Sequence, residues 1–105
     1  MNKTLISGST IGILGGGQLG QMLSMAASRL GFKTHIFEPS ENPPASNVSS
    51  KFTRAEYDDY DALKQFASSV DVVTYEFENI PTAALDIIET QSEIFPNRET
   101  LQISQ

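Results

Sequence analysis

Residues 10–20 read Thr-Ile-Gly-Ile-Leu-Gly-Gly-Gly-Gln-Leu-Gly, and this stretch decides the fold. The part from Thr10 to Leu14 is short, apolar and rich in β-branched residues, which is typical of a buried strand. Gly15, Gly17 and Gly20 then occupy the three positions of a G-x-G-x-x-G pattern. Between a strand and a helix, such a glycine loop (residues 15–20) indicates a βαβ unit that binds a phosphate-bearing ligand.

Apolar residues after the glycine loop recur at the spacing of an amphipathic helix. They stand at positions i, i+3, i+4, i+7 and i+11, namely Leu19, Met22, Leu23, Ala26 and Leu30. A stripe with this period predicts a helix from Gln18 whose apolar face packs on the core. Gly31 follows where a left-handed residue commonly ends a helix.

Strand and helix patterns alternate along the rest of the chain. The strands are predicted at residues 33–37, 51–54, 71–75 and 93–95. Helices are predicted after Asp58 or Asp59, from Pro81 as first helical residue, and from Asn97 onward. Alternation of this kind predicts an α/β fold with right-handed crossovers, a doubly wound parallel sheet in the order 3-2-1-4-5. Residues 1–9 are expected to be a disordered lead-in, and residues 10–105 one Rossmann-like domain.

Composition excludes several classes of function. The chain has 105 residues, of which 13 are acidic and 7 are lysine or arginine, giving a formal net charge of −6. Because this balance leaves no broad basic surface, nucleic acid is not an expected partner. The sequence has no cysteine, which excludes disulfides and thiol catalysis, and no apolar run long enough to cross a membrane. These features suit a cytoplasmic protein, and neither a metal site nor a membrane partner is expected.

One hypothesis for the ligand is a nicotinamide dinucleotide. The unpaired amides at the start of the first helix attract a phosphate. Glu38 ends the second predicted strand, where an acid holds the adenosine ribose in NAD enzymes. On this hypothesis the chain is an NAD(P)-binding module of an oxidoreductase.

Two acids after the fourth strand favour a different ligand. Glu76 ends that strand, and Glu78 follows two residues later. Carboxylates beside a diphosphate repel it, whereas they attract an amine or an imidazole N–H. The pattern therefore favours a small aminoribonucleotide, with its phosphate at the helix terminus and its nitrogenous group at Glu76.

Three stretches together resemble a known family: residues 11–20, the triplet Tyr57-Asp-Asp59, and residues 72–79, which read Val-Val-Thr-Tyr-Glu-Phe-Glu-Asn. They are similar to the 5-(carboxyamino)imidazole ribonucleotide synthases, the ATPase subunits of phosphoribosylaminoimidazole carboxylase in the ATP-grasp superfamily. The resemblance covers residues 10–105. It implies a pre-ATP-grasp domain, with the ATP-grasp region expected beyond Gln105.

The resemblance also implies an activity and a site. The full-length protein is expected to be a ligase of purine biosynthesis that uses ATP to carboxylate 5-aminoimidazole ribonucleotide with bicarbonate. Gly17, Gln18 and Leu19 would hold the phosphate and sugar and Glu76 the aminoimidazole, with hydrogen bonds from Glu78 and Asn79. ATP and Mg²⁺ would bind mainly outside this chain, which is expected to contain no catalytic residue and to be inactive alone. The whole protein is expected to be a homodimer.

Two alternatives to the synthase remain open from the sequence. The first is the dinucleotide-binding module with Glu38 on the ribose, for which binding of NADH would be diagnostic. The second is an interaction module that kept the fold and has no chemistry of its own.

Overall fold

A parallel sheet forms the centre of the computed structural model, which describes residues 8–76 and 80–95. Its strands are β1 (Thr10–Leu14), β2 (Lys33–Phe37), β3 (Lys51–Thr53), β4 (Val72–Tyr75) and β5 (Glu93–Ile94). The α-helices of the described ranges are α1 (Gln18–Arg29), α2 (Tyr60–Ser68) and α3 (Thr82–Glu89), and a 3₁₀ turn spans Pro44–Asn47. The strand order is β3-β2-β1-β4-β5, which confirms the predicted doubly wound topology.

β1 lies at the middle of the sheet and fixes where the other strands end. It pairs in parallel with β2 on one side and with β4 on the other. In both ladders Leu14 is the last paired residue, opposite Phe37 of β2 and Tyr75 of β4. The residues that follow these three, Gly15, Glu38 and Glu76, therefore meet at one edge of the sheet.

The core occupies both faces of the sheet. One face holds the apolar residues that the helical spacing of α2 and α3 predicts to be buried, with Val70 just after the end of α2: Leu63, Phe66, Ala67, Val70, Ala84, Leu85 and Ile88. Asp59 caps α2, since its carboxylate accepts a hydrogen bond of 3.1 Å from the amide of Ala62. Of the two predicted caps, Asp58 and Asp59, the second is the one observed. The expected start of the third helix is one residue early, because Pro81 is the N-cap and α3 begins at Thr82.

The predicted apolar stripe of α1 coincides only in part with the buried face of that helix. Leu19, Met22 and Leu30 are 49%, 65% and 71% exposed, whereas the fully buried positions are Gly20, Ser24 and Ala27. Small side chains let a helix lie close to the structure beneath it, and that close approach turns the larger residues outward. The prediction was therefore wrong for the three exposed residues, whereas Leu23 of the same stripe packs against the core as predicted.

The two ends of the chain are described only in part. Residues 1–7 and the helix expected from Asn97 lie outside the described residues. Gly8 and Ser9, assigned from sequence to the lead-in, join the segment after α1. The amide of Gly8 donates to the carbonyl of Gly31 at 2.8 Å, and that of Lys33 donates to the carbonyl of Ser9 at 2.9 Å. These two residues therefore belong with the folded domain.

His35 is a buried residue of β2, 3% exposed, with both ring nitrogens in hydrogen bonds. Its Nδ1 lies 3.0 Å from the Ser69 hydroxyl, which itself donates to the carbonyl of Phe66 at 2.7 Å. Because that hydroxyl proton is already used, Nδ1 carries the imidazole proton, and Nε2 accepts from the Thr53 hydroxyl at 2.6 Å. The imidazole is thus held neutral as a structural group.

The buried imidazole predicts a loss of stability in mild acid. Burial, and secondarily the positive charge of Lys51, lower the pKa of His35 from 6.5 to about 4. Because the unfolded chain binds this proton at a higher pH than the folded chain does, stability falls as pH drops from 6.5 towards 4. We expect the free energy of unfolding to decrease by about 3 kcal/mol through this residue.

The measurement is urea unfolding at intervals of pH across that range. His35→Gln, which keeps hydrogen-bonding groups but does not titrate, is the matched variant. Its stability should depend less steeply on pH than that of the wild type. Parallel pH profiles for the two proteins would contradict the assignment.

Candidate functional site

The glycine loop begins where three adjacent strands end. The amide of Gly15 donates to the carbonyl of Phe37 at 2.9 Å, and that of Glu76 donates to the carbonyl of Leu14 at 3.1 Å. Gly15 has a φ of +107°, a backbone conformation that side chains with a Cβ rarely adopt. The loop is thereby tied to both neighbouring strands before α1 begins.

The carboxylate of Glu76 lies on the start of α1. Its Oε1 accepts a hydrogen bond of 2.9 Å from the amide of Gly17, and its Oε2 accepts one of 2.5 Å from the amide of Gly20. A negative charge at this position is stabilised by the unpaired amides and by the dipole of the helix. The sequence predicts a ligand phosphate at these amides, but in the structure a side chain of the chain itself accepts their hydrogen bonds.

Glu38 makes a similar contact from the other side of the loop. Its Oε1 accepts from the amide of Gly16 at 3.0 Å, and its Oε2 accepts from the amide of Ser40 at 2.9 Å. The side chain that the dinucleotide hypothesis assigns to a ribose therefore holds the glycine loop to the segment after β2. Together, Glu38 and Glu76 place two carboxylates against one short loop.

The side chain of Glu76 also accounts for the glycines of the motif. A Cβ built on Gly15 would lie 2.8 Å from Oε1 of Glu76, one on Gly17 would lie 3.0 Å from Oε1, and one on Gly20 would lie 2.9 Å from Oε2. Real Cβ atoms essentially never lie closer than 3.0 Å to such a neighbour. The same carboxylate thus lies at or inside contact distance at all three motif positions.

Tyr57 lies beside these carboxylates, a residue of the Tyr-Asp-Asp triplet to which the sequence assigns no site role. Burial first, and then the negative charges of Glu38, Glu76 and Glu56, raise the pKa of its hydroxyl above the ordinary value of 10. Its ring packs against that of Phe37 with 5.5 Å between centroids. The phenol therefore stays protonated at physiological pH and adds a neutral donor to an acidic surface.

The first turn of α1 completes the described part of the site. Gln18 and Leu19 are exposed, and no acceptor for their amides lies among residues 8–76 and 80–95. These two predicted contact residues are therefore adjacent to Glu76. The other two, Glu78 and Asn79, lie outside the described residues.

The described residues do not fit ATP or a metal ion. No group of three or more histidine, aspartate or glutamate side chains in that part of the chain could hold a metal. A triphosphate at the glycine loop would meet the carboxylates of Glu38 and Glu76, and the amides of Gly16, Gly17 and Gly20 already donate to those groups. No helix in the described ranges has the length and apolar character to cross a membrane.

A doubly wound sheet with an acidic, glycine-lined switch point defines the class of domain. The family model of the ribonucleotide synthetase preATP-grasp domain matches residues 8–105, and the chain belongs to this family. Within it, the chain is 49% identical over 106 residues to the N5-carboxyaminoimidazole ribonucleotide synthase of Brucella melitensis. It is 51% identical over 98 residues to the bifunctional purine synthesis protein purC/E of Dictyostelium discoideum.

Solved structures give the same result. The ADP complex of an N5-carboxyaminoimidazole ribonucleotide synthetase superposes with a TM-score of 0.89 at 39% identity, over 97% of this chain and 27% of that one. The Aspergillus clavatus N5-carboxyaminoimidazole synthase, in complex with ADP and 5-aminoimidazole ribonucleotide, superposes with a TM-score of 0.79 at 32% identity, over 91% of this chain and 26% of that one.

The chain corresponds to only part of each relative. It is matched over its whole length by the Brucella protein but spans 29% of that protein, and 93% of it matches 10% of the Dictyostelium protein. The relatives named here are ribonucleotide-processing proteins of purine synthesis, and none is an oxidoreductase. The comparisons therefore favour the ribonucleotide hypothesis over the dinucleotide one.

Proposed function

We propose that this chain is the substrate-side domain of an ATP-dependent ligase that carboxylates 5-aminoimidazole ribonucleotide with bicarbonate in purine biosynthesis. The family match over residues 8–105 and the names of the relatives support this reaction. The observation that carries the proposal is the position of Glu76, a carboxylate held by two backbone amides at the carboxyl edge of the sheet.

The position of Glu76 discriminates between the two ligands. A dinucleotide bound at a glycine loop needs the loop amides for its diphosphate. Here the amides of Gly17 and Gly20 donate to Glu76, whose charge would repel a second anion. Each carboxylate oxygen has two lone pairs and uses one of them on the loop, so Glu76 retains acceptors for the amine of an aminoimidazole.

The remaining contacts follow from the same arrangement. The amides of Gln18 and Leu19, in the first turn of α1, would receive the sugar hydroxyls of the ribonucleotide rather than its phosphate, because the charge of Glu76 repels an anion at this turn. Gly17 would contribute to ligand binding indirectly, because its amide holds the carboxylate of Glu76. Glu78 and Asn79 would add hydrogen bonds from the segment after β4. In the reaction, the part of this domain is to bind and orient the amine that becomes carboxylated.

The rest of the reaction belongs to residues outside this chain. ATP and Mg²⁺ would bind mainly in an ATP-grasp region, consistent with ADP in the matched structures. We propose that the domain alone is inactive, that the whole protein is a cytoplasmic homodimer, and that neither nucleic acid nor a membrane is a partner.

Titration of the isotopically labelled chain tests the ligand. We expect 5-aminoimidazole ribonucleotide to cause saturable shifts of the backbone amides of Gln18, Leu19 and Glu76, since these residues lie at the proposed site. NADH, added in parallel at the same concentrations, should cause none.

The titration has two contrary outcomes. Saturable shifts of amides near Glu38 with NADH alone would contradict the synthase hypothesis and support the dinucleotide-binding module. No shift with either ligand would contradict ribonucleotide binding by the isolated domain, and would mean that binding needs the ATP-grasp region or that the glycine loop is only structural.

A further inference from the structure

The glycine loop and Glu76 form one unit within the described part of the chain. Two amides of the loop donate to the carboxylate, and the glycines at positions 15, 17 and 20 leave the space that its side chain fills. The intervening glycine differs, because a Cβ on Gly16 would lie 2.8 Å from Pro43 and 3.0 Å from Glu38 instead. The three motif positions therefore have Glu76 as a common neighbour, which is not among the nearest neighbours of Gly16, although a Cβ on Gly20 would also lie 2.9 Å from the carbonyl of Gly15.

We propose that the G-x-G-x-x-G motif of this chain is a receptacle for the carboxylate of Glu76, and that the loop positions this carboxylate for direct contact with a ligand. In this arrangement the helix terminus carries a resident negative charge. A ligand group that approaches Glu76 must then be an N–H donor or a cation, and a phosphate is rejected at the amides of Gly17 and Gly20.

Register and charge both support the receptacle. Tyr75 and Leu14 are paired at the last position of their ladder, so Glu76 emerges beside Gly15 without any rearrangement of β4. A carboxylate that accepts two amide hydrogen bonds at a helix N-terminus gains from both the bonds and the helix dipole. Its two oxygens lie on amides three residues apart, and this fixes the orientation of the carboxylate plane.

A double-mutant cycle between Gly17→Ala and Glu76→Ala tests this coupling without any ligand. A Cβ on Gly17 would have Oε1 of Glu76 as its nearest neighbour, at 3.0 Å, and the next two nearest atoms also belong to Glu76. Gly17→Ala should therefore lower the free energy of unfolding much more in the wild-type background than in the Glu76→Ala background. We expect the two effects to differ roughly tenfold in the folding equilibrium constant.

Gly16→Ala is the matched control for the cycle. Its Cβ would contact Pro43 and Glu38, so its effect on stability should be the same with and without Glu76. Equal effects of Gly17→Ala in both backgrounds would overturn the receptacle. Should Glu76→Ala not fold, Glu76→Gln, which removes the charge and keeps the shape, takes its place in the phosphate measurement below.

Inorganic phosphate supplies a readout that a merely structural role would not change. In the wild type we expect no saturable shift of the Gly17 and Gly20 amides with phosphate, whereas Glu76→Ala or Glu76→Gln should acquire one. A saturable shift of those amides in the wild type would overturn the proposal. The inference rests on the proposed function only in naming an N–H group of the ligand. If the ribonucleotide titration fails, the mutant cycle and the phosphate titration still decide whether the glycine loop holds Glu76.

Discussion

Replacing Gly15 by alanine is expected to lower the free energy of unfolding by about 3 to 4 kcal/mol. The backbone at Gly15 has a φ of +107°, which costs an L-residue about 1–2 kcal/mol. The new Cβ would also lie 2.8 Å from the carboxylate of Glu76, and overpacking of this kind typically costs about 1–3 kcal/mol more. Urea unfolding monitored by circular dichroism measures the loss.

Gly8→Ala is the control that separates the two contributions. Gly8 has a similar φ of +93°, but a Cβ there would have nothing within 4 Å among residues 8–76 and 80–95. Its substitution should therefore cost only the backbone contribution, about 1–2 kcal/mol. Equal losses at the two positions would mean that Glu76 moves aside without cost and that the contact does not constrain the loop.

Much of this fold follows from local patterns in the sequence. Short apolar strands separated by helices are compatible with few arrangements, because βαβ crossovers are right-handed and connections are short. The cap at Asp59, the left-handed residue at Gly31 and the buried positions of α2 and α3 were all predictable, since each depends on neighbours a few residues away. The strand order followed from the same local elements.

The packing of α1 could not be read from its period. An apolar stripe indicates which face of a helix is apolar, but it does not state how close the helix lies to the sheet. In α1 the buried residues are Gly20, Ser24 and Ala27, and the helix packs against residues 44–47. That segment is distant in sequence from α1, so the period alone did not show that Leu19, Met22 and Leu30 face outward.

The candidate site was predictable in its members but not in its contacts. Glu38 and Glu76 were both identified because each ends a strand next to the glycine loop. The sequence does not reveal that their carboxylates accept hydrogen bonds from Gly16, Gly17 and Gly20. The register of β1 with β2 and β4 contains that signal, because it places both acids within reach of the loop.

Glu76→Gln is expected to impair use of the ribonucleotide selectively in a protein that carries this domain together with its ATP-grasp region. Glutamine fills the same space, but it loses the negative charge that would accept the amine, a hydrogen bond of about 1.5–3 kcal/mol. The KM for 5-aminoimidazole ribonucleotide should therefore rise roughly 10- to 100-fold. The KM for ATP should not change, because no described residue of this domain fits a triphosphate.

Glu38→Gln provides the comparison that assigns this effect to the ligand. Glu38 also accepts a hydrogen bond from the glycine loop, through Gly16, but it lies on the β2 side, away from the amides of Gly17 and Gly20. A general loosening of the loop would raise the KM for the ribonucleotide similarly in both variants. A direct bond from Glu76 to the amine requires a much larger rise of this KM in Glu76→Gln than in Glu38→Gln. Equal KM values in the two variants would mean that Glu76 does not contact the ligand and only holds the loop.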